Sequence, residues 1–455
     1  MTTNKNNLGT TPIGQLLFKL STPAMFGLII IMTYNIVDTI FVGQFAGSRG
    51  LAGMSVVLPI MFLVPVFGLA IGIGAGSIIS RALGAGDHQR ANQVFGNAIG
   101  LTFLITGSLA ILGYIFGDTM LFIFGARGEI TQEVWPYYIY ILAGIPFHAM
   151  KMCLNNILRA EGNARFPMYA QLISALINIL LDYIFIVQLH MGLMGAGFAT
   201  LLAHVVGLAY ITSFFLRGKS SLKLKITNLI PQKAIITETL GLGASTLGRQ
   251  GAASFIAIAA NHTLFRYGGE QSVAVYGIIN RLYMVLSAPI NGLVQGFMPI
   301  AGFNFGARQF DRVRKVILTA LTAGFLINFI TFAIARLFSN ELSSMFTNNV
   351  TVAHSAATAL IIITLTWLTH PIQLIGSSYL QAVGKAKPAF LLTISRQILF
   401  LIPMILFLPN LMGEEGVWYA FVIADILTFI VSVILLIPEW KKVNYEEQEM
   451  KLIPG

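Results

Sequence analysis

Apolar runs of bilayer length follow one another along almost the whole chain, separated by short polar and basic connections. A helix needs about 20 mostly apolar residues to cross a membrane. Such runs fall near 16–41, 51–80, 92–116, 131–153, 166–188, 193–216, 234–263, 272–303, 313–336, 351–378, 388–410 and 415–438. Their unbroken apolar character predicts helices, whereas the strands of a membrane barrel are short and alternate. The pattern predicts an all-α polytopic membrane protein of twelve spans, with the long second and eighth tilted or irregular.

Charge adds orientation. Only 10% of the 455 residues are charged and 56% are hydrophobic, against roughly 25% charged in a soluble domain. The net charge of +10 would suggest nucleic acid in a soluble protein, but here the basic residues sit between apolar segments. Twenty lysines and arginines, from Lys5 to Lys451, fall on one side of the twelve-span scheme; Arg49, Arg127, Arg266 and Arg336 fall on the other. The bias predicts a cytoplasmic location for the richer side, and so for both termini. The start lacks the basic stretch, short apolar core and small-residue site of a cleaved signal peptide. A single cysteine, Cys153, excludes an intramolecular disulfide and a cysteine metal cluster.

The connection at 217–233, rich in lysine, divides the chain nearly in half. Fragments recur across it: LGAGDHQRA at 83–91 parallels FGARQFDRV at 305–313, and RAEGNAR at 159–165 parallels QAVGKAK at 381–387, both at an offset of 222. The shared offset predicts a duplicated unit. Six spans per copy keep both copies in one orientation, giving two six-helix lobes with a pseudo-two-fold axis along the membrane normal. The expected organisation is a first lobe at 1–216, the linker at 217–233, a second lobe at 234–440 and a polar cytoplasmic tail at 441–455. A cavity between the lobes is the expected substrate path.

Polar residues inside spans are expensive and mark function. Asn35 and Asp38 share a face of the first span; Asn178 and Asp182 share a face of the fifth. An asparagine can donate to a carboxylate or accept from its protonated form. Two neighbouring acids titrate as a pair, and such a site can exchange a proton or a sodium ion. The plainer alternative is that the acids only join helices. At the offset of 222 the second lobe has Ala260 and Met404 instead, so coupling chemistry is expected in the first lobe. Asp425 stands alone in its span, where a structural or conformational role is expected, with Arg396 as a candidate partner. Glu238 lies near the start of the seventh span, where headgroups are its simplest surroundings, and Lys151 near a helix end, where snorkelling suffices. His204, His262 and His370 are scattered singly, which gives a metal cluster no support beyond sodium at Asp38, Asn178 and Asp182.

Methionines and aromatics suit adaptable binding of organic cations. Met32, Tyr34, Met54, Met61, Tyr138, Asn280, Arg281, Tyr283 and Met284 are the cavity candidates, with Tyr137, Tyr140 and Met150 beside them. Arg81, Glu161 and Arg308 are candidates for a gate or for structure, as is Asp425. The glycine segments RALGAGD and NFGARQFD lack the lysine and hydroxyl residue of a phosphate-binding loop, and no enzymatic site is visible.

Taken with NIVDTIFVG, LRAEGNAR, NILLDYIFI, GLMGAGFAT, MPIAGFNFGAR and SYLQAVGKAKP, the chain resembles the multidrug and toxic compound extrusion family over residues 12–438. The pattern is similar to its bacterial and archaeal branch of DNA-damage-inducible and staphylococcal-type exporters. The resemblance implies twelve helices in two lobes and export of lipophilic organic cations by antiport with protons or sodium, without a cofactor, by a monomer in the cytoplasmic membrane. It also implies an ion site at Asp38, Asn178 and Asp182, with Asn35 and Tyr34 beside it. Other branches carry acids in their seventh and tenth spans; here the tenth has none and the seventh has only Glu238. A flippase for lipid-linked saccharides or another amphipathic metabolite is the alternative, with Arg249, Arg281 and Arg396 as its basic residues. A membrane receptor is a third class, and it leaves the two Asn–Asp pairs unexplained.

Overall fold

Backbone crossing a bilayer has to satisfy its own N–H and C=O groups, and this chain does so by coiling into helix nearly end to end. The computed structural model describes residues 7–452, excepting the side chains of Asn7, Ser48, Glu129, Ile130 and 449–452. Lys5, the side chain of Lys451 and the last three residues of the polar tail lie outside the described residues. No strand occurs among the described residues.

Twelve spans can be drawn: α1 (Ile13–Phe45), α2 (Arg49–Gly84), α3 (His88–Ile115), α4 (Glu129–Ala160), α5 (Arg165–Gln188), α6 (Gly192–Leu216), α7 (233–268), α8 (270–306), α9 (Phe310–Leu337), α10 (Val350–Ile363 with Trp367–Ala382), α11 (Ala386–Met412) and α12 (Glu415–Gln448). The spans α7 and α8 run together as one 74-residue helix, and only Gly269, at φ +70°, separates them. The two pieces of α10 are bent by 42°. The expected irregularity of the second span is a break at Val64, where Pro65 opens a new helical segment.

The duplication is visible in the backbone. α3 and α9 start and end 222 positions apart, and the short helices after them, Gly117–Ile123 and Ser339–Ser344, begin at the same offset. Gly47 at φ +69° matches Gly269, and Gly86 at φ +75° matches Arg308 at φ +54°. The second copy thus holds an arginine in the left-handed region where the first has a glycine. That arrangement costs about 1–2 kcal/mol.

The chain forms two compact units whose limits do not follow its midpoint. The first contains Thr22–Thr246, and the second contains Leu8–Ser21 and the chain from Leu247 onward. The beginning of α1 therefore packs with the second unit. There Ser21 donates to the Leu293 carbonyl, and Arg312 donates to the carbonyls of Leu8 and Thr11 at 3.0 and 2.7 Å. The beginning of α7 packs with the first unit, because glycines let the backbones meet. A Cβ on Gly74 would overlap the Thr239 carbonyl oxygen, and one on Gly243 would press on that of Ala70. The linker follows the same unit: Asn97 donates to the Asn228 carbonyl and accepts from the Gln232 N–H at 3.0 and 2.6 Å.

Replacing Gly74 by valine should displace the start of α7 and lower the stability of the first unit by about 1–3 kcal/mol. The thermal midpoint of the detergent-purified full chain should fall by several degrees, whereas Gly14→Val, with open space around it, should leave it near the parent value. Equal midpoints would contradict the close approach.

Candidate functional site

Asp38 and Asp182 come together inside the first unit. Asp38 is 4% exposed and Asp182 fully buried, and their carboxyl groups are within hydrogen-bonding reach of one another. Both oxygens of Asp182 and Oδ1 of Asp38 meet no protein donor among the described residues, and the amide of Asn178 has no protein partner either. Polar groups this deeply buried are normally paired; here acceptors face acceptors, an arrangement completed by a proton or a cation. The local backbone is unusual as well. The last turns of α5, Tyr183–Gln188, are a π-helix that starts at the residue after Asp182, and such widened turns recur at functional positions.

The neighbours are partly those expected from the sequence. Tyr34 lies one helical turn before Asp38 and is electrostatically close to both acids. Tyr137 is also close to both, and its hydroxyl is 3.1 Å from the Met61 sulfur. Tyr138 instead turns into the core, donating to the Gly113 carbonyl at 2.7 Å, and Met54 is buried in the same apolar cluster. The helical period explains the exchange, since adjacent residues point about 100° apart. Asn35 does not turn to Asp38: its amide donates to the Ile31 carbonyl of its own helix at 2.8 Å. Met32 is half-buried.

The second unit treats its acid in the opposite way. Asp425 on α12 is 1% exposed and fully partnered. Arg396 Nε donates to Oδ1 at 2.6 Å, the Thr366 hydroxyl donates to Oδ2 at 3.0 Å, and His370 Nε2 lies 2.8 Å from Oδ2. Gln373 donates to the Asp425 carbonyl, and Tyr283 stacks on Trp367 with ring centroids 6.0 Å apart. Two helix irregularities deliver these groups. The bend of α10 presents Thr366 and His370, and a π-helical stretch, Ser395–Leu401, carries Arg396. Asp425, solitary in the sequence, is thus the centre of an ion-paired cluster. Asn280, Arg281 and Met284 are exposed.

Further cation–carboxylate pairs mark the side bearing the linker. Glu238 does not simply face headgroups: Arg81 and Arg90 grip its two oxygens at 2.9 and 2.6 Å. Glu161 is buried at the end of α4 and accepts from the Ser220 hydroxyl and, at 2.8 Å, from the Ser221 N–H. Burial pushes its carboxyl above the usual range, and these donors pull it back. Arg308 is exposed in its turn. Lys151 does not snorkel; it is 2% exposed and donates to the Ser174 hydroxyl.

Comparison with known proteins gives a consistent picture. The family profile described as MatE matches residues 23–184 and 251–406. The multidrug export protein MepA of Staphylococcus aureus is 26% identical over 433 residues, which span 94% of this chain and 94% of that protein. An outward-facing multidrug resistance MATE family transporter of the MOP superfamily superposes with a TM-score of 0.90 at 25% identity, over 98% of this chain and 99% of the other. A MOP superfamily transporter from Pyrococcus furiosus, whose binding pocket of reverse polarity suggests a different function, superposes at 0.89 with 25% identity and the same coverage.

Removing one member of a buried ion pair leaves the other uncompensated, at about 3–5 kcal/mol. Arg396→Met should therefore destabilise the second unit by that amount and sharply lower its unfolding temperature. An unchanged temperature would show that Asp425 does not depend on the arginine.

Proposed function

Because the chain belongs to the MatE family, we propose that it is a secondary active multidrug exporter that expels lipophilic organic cations from the cytoplasm in exchange for protons, with sodium ions as the other candidate. The similarity to multidrug export protein MepA supports export, and the observation that carries the coupling step is the meeting of Asp38 and Asp182, three of whose four oxygens have no protein donor among the described residues. The lysine- and arginine-rich side, with both termini, is the cytoplasmic one, and a single chain suffices.

The proposed exchange follows from charge. With neither proton nor metal ion bound, the two carboxylates give the apolar interior a negative charge that attracts an organic cation. A proton forming an O–H bond on one acid and hydrogen-bonding to the other cancels one of the two negative charges, which weakens that attraction and favours release on the far side. The proton then leaves toward the cytoplasm. Drug and coupling ion must weaken one another's binding by the same factor. Tyr34 and Tyr137 supply aromatic faces for a cation beside the acids, and Met61 an adaptable surface.

Asp38→Asn removes half of the exchangeable charge. In proteoliposomes loaded with separate proton and sodium gradients, uphill transport of ethidium should fall at least about tenfold, one pH unit or its equivalent in coupling, while membrane insertion is retained. The gradient that drives the parent protein identifies the ion. Normal uphill transport by D38N would remove Asp38 from coupling, and transport of a lipid-linked saccharide in place of ethidium would favour a flippase.

A further inference from the structure

The first unit also contains a buried cation that the acid pair does not explain. Lys151 lies about 13 Å of helix rise from the linker-side end of α4. Its ammonium donates to Ser174 Oγ at 3.0 Å and sits 3.3 Å from His204 Nδ1. Ser174 in turn donates to the Ala203 carbonyl at 3.0 Å, and His204 stacks on His148 with ring centroids 4.1 Å apart. Gly207 of α6 makes the room: a Cβ there would overlap the Ser174 hydroxyl and crowd the lysine stem at 2.9 Å. The result is an enclosed niche for one amine.

Among the described residues no carboxylate enters that niche. The titratable groups facing Lys151 are His148 on its own helix and His204 on α6, and α5 contributes only the Ser174 hydroxyl. The helices packed on α4 include α2, α3 and α6, none of which contains an aspartate or glutamate. The acids of α4 itself, at 129 and 133, are about 27 Å or more away along the helix, and Glu161 at its linker-side end, held by Ser220 and Ser221, is about 15 Å away. On α5 the acid is Asp182. It shares one buried face with Asn178 and Ser174 at intervals of four residues, about 12 Å of rise from the serine.

We propose that Lys151 is a second proton-binding station of the first unit, linked through charge to the Asp38–Asp182 pair; this rests on the coupling role of that pair. While the pair is ionised, the lysine holds its proton and balances the charge. When a proton from the far side forms an O–H bond on an acid, the ammonium loses its counter-charge. Its N–H bond then breaks, and the proton passes to water on the linker side. One proton enters at the pair and one leaves at Lys151, so the pair itself loses one negative charge and holds the organic cation less strongly, while the proton count is conserved. At about 12 Å and an effective dielectric of about 20, two unit charges shift one another's titration by about one pH unit.

The test is ethidium binding to the full chain in lipid nanodiscs, read by fluorescence anisotropy in sodium-free buffer from about pH 5 to pH 9, a range that brackets titration of buried carboxyl groups. Binding should weaken as pH falls. Lys151→Met removes the positive neighbour, so the acids hold their proton more tightly and the midpoint should rise by about one pH unit. Lys151→Arg keeps a positive charge that it cannot release, so the midpoint should stay at or below the parent's. A lysine that only packs would alter affinity or stability at every pH without moving the midpoint, and an unmoved midpoint in K151M overturns the proposal. If K151M is not recovered folded, Ser174→Ala, which strips the ammonium of its hydroxyl, should shift the midpoint the same way by less; no shift there overturns it equally. Binding independent of pH in the parent protein would remove the coupling role of the acids and the lysine's with it. A dependence that Asp182→Asn abolishes and K151M leaves unmoved would remove the lysine's role alone.

Discussion

Ionised groups inside an apolar helical unit must find their solvation in the protein, and the two halves of this molecule meet that demand in opposite ways. In the second unit Asp425 receives an arginine, a histidine and a hydroxyl, so its charge is matched where it lies. In the first unit two carboxyl groups face each other, three of their four oxygens without a protein donor among the described residues, and a buried amine, Lys151 of α4, meets α5 at Ser174, roughly two helical turns from Asp182. The matched cluster is suited to holding helices together. The unmatched pair is suited to taking up and releasing a charge, because its protein surroundings leave the last partner to be supplied from outside.

Departures from regular helix make both arrangements. A π-helical stretch follows Asp182, another carries Arg396, and the bend in α10 turns Thr366 and His370 toward Asp425. Each lies where a straight helix would aim the same side chain elsewhere. Glycine has the complementary part. Gly74 and Gly243 allow the start of α7 to lie against α2, which brings Glu238 between Arg81 and Arg90. The beginning of α7 is thereby bound to the first unit through its backbone and through charge, although the rest of that helix belongs to the second.

Span number, helical class and the internal repeat were legible in the sequence, because bilayer length, apolar composition and a constant offset are one-dimensional signals. Asp38, Asn178 and Asp182 were legible too: a buried acid is conspicuous against so apolar a background. What a sequence does not carry is the phase of one helix against another. For that reason Tyr137 and Tyr138 were offered side by side, where Tyr137 is the ring near the acids, and Asn35 was placed on the face of Asp38, where its amide donates back to the Ile31 carbonyl of its own helix. Lys151 was misplaced for a related reason. Its nearness to a helix end suggested a stem reaching out, whereas Gly207 opens a niche that draws it inward. The partners of Asp425 come from α10 and α11, distant in sequence, and of them the sequence offered Arg396 but not Thr366 or His370.

The exchange at Asp38 and Asp182 is most directly examined by counting ions rather than transported drug. The full-length protein in weakly buffered, sodium-free solution can be mixed with a lipophilic cation while a pH indicator records the protons set free. Near the midpoint of the pair, binding should expel up to about one proton for each cation bound, in line with a coupled two-acid site; if sodium is the coupling ion, radioactive sodium should be displaced in its place. A cation that binds fully and releases neither ion would contradict the exchange.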